Sequence, residues 1–110
     1  MDIGIFFFPT EYSIQLTELA VELEQRGFES LMVCEHSHIP ASRKTEWPGG
    51  SELPKEYYHT YDPFIALSFA AGATKTLKIG TSICLVPQRE PFNLAKQVAS
   101  LDCLSGGRFV

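Results

Sequence analysis

Four apolar runs, at residues 2–8, 28–34, 77–86 and 108–110, alternate with segments whose apolar residues recur at helical spacing. That alternation limits the folds open to the chain more than any other feature. Asp2-Ile-Gly-Ile-Phe-Phe-Phe8 is nearly continuous, as expected of a strand buried on both faces, and Pro9 and Thr10 end it. Leu16, Leu19, Ala20 and Leu23 then recur with Glu18, Glu22 and Gln25 between them, which predicts an amphipathic helix. Gly27 stands where a helix C-cap is expected, and residues 28–34 read as a second strand. Strand, helix, strand is one βαβ unit, so the two strands run parallel.

The pattern repeats downstream. Asp62-Pro63 marks a helix start, an N-cap followed by proline in the first turn. Phe64, Leu67, Ala70 and Ala71 give that helix an inward face up to Thr74, and residues 77–86 form a third strand. Pro91 opens another helix, with Leu94, Ala95, Val98 and Leu101 inward. Ser105-Gly106-Gly107 turns the chain into Arg108-Phe-Val, the expected start of a fourth strand. The order is β-α-β-α-β-α-β, with every strand expected to be doubly buried. A doubly wound sheet and the first part of a (β/α)₈ barrel both fit. Neither a Gly-x-Gly-x-x-Gly turn nor a Walker-type loop is present, which weakens the nucleotide-binding doubly wound folds. A complete barrel takes about 250 residues. The 110 residues therefore predict one α/β domain, 1–110, holding the first three to four βα units of an incomplete barrel.

Composition excludes several partners. A net charge of −4 and scattered basic residues give no footprint for nucleic acid. The apolar run 3–8 is too short for a signal peptide or a membrane span. Cys34, Cys84 and Cys103 are odd in number and lie in apolar segments, as expected of reduced thiols in the cytoplasm.

Chemistry concentrates at residues 32–40. The second strand runs straight into Glu35, His36 and His38, where a strand normally ends in small or turn-forming residues. Parallel α/β folds gather ligands at the carboxyl ends of their strands, so proton-moving groups stand where active sites form. An irregular stretch, 35–61, follows, of a length that is usually functional. Its aromatic residues Trp47, Tyr57, Tyr58 and Tyr61 are expected to act as a lid. Alternation puts Cys34, His36 and His38 on one side, but no second ligand pair or Cys-x-x-Cys accompanies them, so no metal site is expected.

Several segments together resemble the luciferase-like family of flavin- and F420-dependent oxidoreductases, in its N-terminal part. They are Glu35-His36-Ser-His38-Ile-Pro40, Asp62-Pro63-Phe with Ala70-Ala71 and Thr74, Leu77-Lys-Ile-Gly80-Thr-Ser82, and Ala95 through Arg108. The resemblance implies a TIM barrel with a redox cofactor at the carboxyl ends of the strands. The reaction would be hydride transfer or monooxygenation of an unknown small organic substrate. Coenzyme F420 is the first expectation, because Glu-His-Ser-His-Ile-Pro is most similar to that subgroup, and reduced FMN is the alternative. His36 is implied as the catalytic group beside the reactive edge of the ring. Glu35 would orient it or hydrogen-bond the ring. Ser82-Ile83 would form a non-proline cis peptide behind the ring, making Glu35, His36, Ser82 and Ile83 the cofactor-binding set. Phe8 and His38 would face substrate. Asp102 and Arg108 would fix a turn at the bottom of the barrel through caps and a salt bridge, and homodimerisation is common in the family. The competing expectation is a truncated, catalytically incomplete fragment, or a binding module of the flavodoxin type, without activity of its own.

Overall fold

The computed structural model describes residues 1–50 and 52–110. Strand β1 (Gly4–Phe7) leads to helix α1 (Leu16–Gln25), strand β2 (Ser30–Val33), short helix α2 (Glu56–His59), helix α3 (Pro63–Ala73), strand β3 (Lys78–Thr81) and helix α4 (Pro91–Ser105). All strand pairs are parallel and the sheet order is β1-β2-β3. Phe109 then makes a parallel bridge to Ile79, so the fourth run lies beside β3. This excludes the doubly wound alternatives, which put β1 in the centre or send the fourth strand back to β1. Strands following one another in chain order are the arrangement of the first units of a (β/α)₈ barrel.

The caps explain the helix boundaries. Asp62 accepts from the amides of Phe64 (3.0 Å) and Ile65 (3.1 Å), and Pro63 supplies the first turn of α3. Glu90 does the same for α4, accepting from Phe92 and Asn93 ahead of Pro91. Gly106, at φ 74°, is the left-handed residue that ends α4. One face of the sheet is sealed by helices: Leu31, Val33, Ile79 and Leu77 pack against Leu16, Ala20, Leu23, Phe64, Leu67, Ala70, Ala71 and Leu101. Gly80 is required by close approach, since a Cβ there would lie 2.5 Å from the Val110 carbonyl and 2.7 Å from Met32 Sδ.

Several expectations are corrected. Strand β3 ends at Thr81, not at 86. After Ser82 N–H donates to the Val33 carbonyl at 2.8 Å, the Leu85 amide turns to a side-chain carboxylate and Val86–Gln88 form a 3₁₀ turn. Residues 83–86 have the apolar composition of a strand, but the Leu85 amide goes to a carboxylate and the Val86 amide to the Cys84 carbonyl. The strands are not all doubly buried: Phe6 is 51% exposed, because it lies on the face opposite the helices. Ala95 is exposed rather than inward. No Asp102–Arg108 salt bridge forms among the described residues. Arg108 instead donates to the carbonyls of Ala71, Leu77 and Ser105 and to Thr74 Oγ1, tying the ends of α3 and α4 together. The stretch 35–61, in which Ser51 lies outside the described residues, contains α2 and a Trp47–Gly50 bridge.

Candidate active site

Strand parity decides which side chains meet. The register Phe6↔Met32↔Gly80 sets the uncovered face, and extending it by twos leads to Phe8, Cys34, His36 and Ser82 at the carboxyl ends. These residues line one cleft of about 190 Å³, together with Phe6, Glu35, Tyr57, Ile83 and Leu85. Five of the site residues expected from sequence, Phe8, Glu35, His36, Ser82 and Ile83, are thus brought together. His38 lies outside this cleft. It borders an adjoining one of about 260 Å³ with His36, Arg43, Tyr57 and Tyr58.

His36 sits in an aromatic cage. Its ring lies 6.5 Å from that of Phe8, nearly parallel at 7°, and 4.7 Å from that of Tyr57. Tyr57 also contacts Phe8 at 4.9 Å, so α2 supplies the cover. Tyr58 and Tyr61 are exposed and Trp47 pairs with Gly50, so Tyr57 is the one expected lid aromatic that packs on His36. Burial lowers the pKa of His36 below the ordinary imidazole value, and the charge of Glu35 partly opposes this. The imidazole is thereby biased toward its neutral, proton-accepting form.

Glu35 points the other way, as alternation requires. Its side chain is 1% exposed and both oxygens are engaged: Oε1 accepts from Arg89 Nε at 2.6 Å, Oε2 from the Leu85 amide at 2.7 Å. It makes no hydrogen bond to His36 among the described residues. Arg89 was not marked out by the sequence. The available signal was chemical: a carboxylate at the end of a buried strand needs a cation.

The Ser82–Ile83 peptide is cis, as expected, and Ile83 projects with 74% of its surface exposed. Ser37 Oγ and His38 Nδ1 are 2.9 Å apart, and Ser37 also donates to Gln88. Among the described residues no three His, Cys, Asp or Glu side chains group as metal ligands. No helix is long and apolar enough to cross a membrane. A larger groove of about 560 Å³ lies between α1 and α3, lined by Leu16, Ile65, Phe69 and others, but Tyr61 is its single titratable side chain. Chemistry therefore favours the smaller cleft.

The aromatic and aliphatic walls of that cleft, with one imidazole among them, suit the edge and one face of a planar heterocycle. At about 190 Å³ it is smaller than the roughly 300 Å³ or more of a complete ligand pocket, so it fits the ring and not a tail.

The family model described as luciferase-like monooxygenase matches residues 1–110. The chain belongs to this family. An uncharacterized protein of Mycobacterium tuberculosis is 35% identical over 111 residues, covering 98% of this chain and 39% of that protein. The chain thus spans about two fifths of the length of such curated relatives. Among solved structures, the coenzyme F420-dependent tetrahydromethanopterin reductase of Methanopyrus kandleri superposes with a TM-score of 0.73 at 27% identity, over 99% of this chain and 25% of the reductase. The oxygenating constituent of 3,6-diketocamphane monooxygenase from Pseudomonas putida, a type II Baeyer–Villiger enzyme in complex with FMN, gives a TM-score of 0.73 at 22% identity. It covers 99% of this chain and 28% of that one, and shares the fold. The luciferase-like family thus accounts for the strand order and the helix layer together.

Proposed function

We propose that this luciferase-like chain carries the N-terminal catalytic half-site of an oxidoreductase that transfers hydride between coenzyme F420 and a small organic substrate. The observation that carries the proposal is His36. It is caged by Phe8 and Tyr57 at the carboxyl ends of β1 and β2, with its pKa lowered, in a cleft whose other wall is Ser82–Ile83. A bound deazaflavin or flavin supplies the redox step. The residues of the chain do the rest. His36 accepts or returns a proton at an imidazole nitrogen; Ile83 and Phe8 give the ring apolar surfaces; Tyr57 restricts water. Glu35 contributes from behind, by holding the backbone at the strand end. His38 and Arg43, on the adjoining cleft, face the substrate side. The three free thiols support a reducing cytoplasm as the location.

F420 is put ahead of FMN on the Glu35-His36-Ser37-His38-Ile39-Pro40 segment alone, since an F420-dependent reductase at 27% identity and monooxygenases at 28% are matched about equally. Titrating the full-length protein separately with F420 and FMN, following cofactor fluorescence, tests the order. Quenching of F420 at micromolar concentration is expected. Saturable binding of FMN with none of F420 would reassign the chain to flavin-dependent monooxygenation.

A further inference from the structure

Three segments meet on one guanidinium, and one of them, through Glu35, lines the cleft. Arg89 Nε donates to Glu35 Oε1 at 2.6 Å, Nη2 to Asp62 Oδ2 at 2.7 Å and Nη1 to Gln97 Oε1 at 3.1 Å. The Arg89 side chain is 13% exposed and its Cζ stands 4.7 Å from the centre of the Phe64 ring. We infer that Arg89 is a positioning residue for the cleft, acting through Glu35 to fix His36 against the Ile83–Leu85 wall. The inference rests on the cleft being the ring site.

The linkage is direct. Glu35 immediately precedes His36, and its second oxygen accepts from the Leu85 amide at 2.7 Å. One carboxylate therefore ties the end of β2 to the segment after β3. Asp62, held by the same guanidinium, also caps α3, so the start of that helix is joined to the end of β2 through Arg89. Such a buried carboxylate keeps its place only while its cation is present. Lysine would not substitute, because a single ammonium lacks the planar fork that serves three separated acceptors.

The same pairing sets the field at His36. The titratable groups around the imidazole are Cys34, Glu35, His38 and Arg43 on its own segment and Tyr57 and Tyr58 from α2. Beyond Glu35 lie Cys84, Arg89 and Asp62. Arg89 offsets part of the charge of Glu35, the carboxylate nearest in sequence. Unpaired, that charge would favour the imidazolium.

The test uses the full-length protein without cofactor, following the His36 ring by NMR. In Arg89→Met the His36 titration midpoint is expected to move upward, and Glu35→Gln/Arg89→Met is expected to return it to the parent value or below. In Arg89→Lys the Leu85 amide is expected to exchange faster with solvent, and kcat/KM to fall about ten- to hundredfold, mainly through kcat. If Arg89→Met does not fold, amide exchange and the kcat change in Arg89→Lys decide the matter. An unmoved His36 midpoint in folded Arg89→Met, or Arg89→Lys with parental Leu85 exchange and kcat, overturns the inference. A parent protein that binds neither F420 nor FMN would sink the ring-site reading separately, since the titration and exchange need no cofactor.

Discussion

At the scale of single residues, His36 and Glu24 show how surroundings tune a titratable group in opposite ways. His36 is desolvated, so its charged form is disfavoured. Replacing it by Asn should lower kcat by about 10²–10⁴-fold while leaving the melting temperature near that of the parent, measured by steady-state kinetics and thermal denaturation. The acidic limb of the parent pH–kcat/KM profile should fall below about pH 6.5, where an unperturbed imidazole titrates. A limb above that value would contradict His36 as the base. Glu24 has no catalytic place. Its carboxylate accepts from the Thr76 hydroxyl and from the amides of Lys75, Thr76 and Leu77. The Thr76 hydroxyl bond leads in drawing its pKa from 4.5 down to about 2. Because the folded value lies below the unfolded one, the carboxylate stabilises the fold above pH 4.5, and that contribution fades as pH falls toward about 2. Glu24→Gln should therefore lower the melting temperature at pH 7 and make no difference near pH 2.

At the scale of elements, two contacts hold strand and helix ends in place. Gly80 lets β2, β3 and the fourth run approach, and a methyl group there would meet Met32 Sδ and the Val110 carbonyl. Gly80→Ala should cost about 1–3 kcal/mol in chemical denaturation, with overpacking as the cause. Arg108 occupies three carbonyls and a hydroxyl at the junction of α3, β3 and α4. Arg108→Met should cost about 1.5–3 kcal/mol, because charge-assisted bonds are lost where few replacements exist. Activity per folded molecule should stay at the parental level, since these contacts lie at the helix C-termini, away from His36. Selective loss of kcat in Arg108→Met would refute that separation.

At the scale of the whole molecule, one sheet face is sealed and the other is open. Phe6 is 51% exposed on the open face, and Phe92, Leu104 and Ile83 are more than 70% exposed elsewhere. The outer edge of β1 has no strand partner among the described residues. Residues 1–110 prepared as an isolated polypeptide should therefore self-associate and bind neither F420 nor FMN measurably. Gel filtration with light scattering checks this, and a monomer that melts cooperatively and binds cofactor would refute it.

The succession of strands and helices, the starts of α3 and α4 and the inward faces of α1 and α3 were legible in the sequence, because periodicity, Asp62-Pro63 and Pro91 act locally. The side-by-side order of the strands came from the pairing. Alternation alone also separates His36 from Glu35. Other features had no local signature. The Leu85 amide chooses a carboxylate fifty residues away in sequence over a strand partner. Arg89 finds Glu35 and Asp62 only after β2, α3 and the post-β3 segment converge. Arg108 likewise exchanges an expected ion pair for distant carbonyls. Sequence determined the elements and their succession along the chain, since those depend on near neighbours and burial pattern. Tertiary structure decided where each buried charge and unpaired amide found its partner, because desolvated polar groups must be satisfied by whatever the packed chain brings within reach.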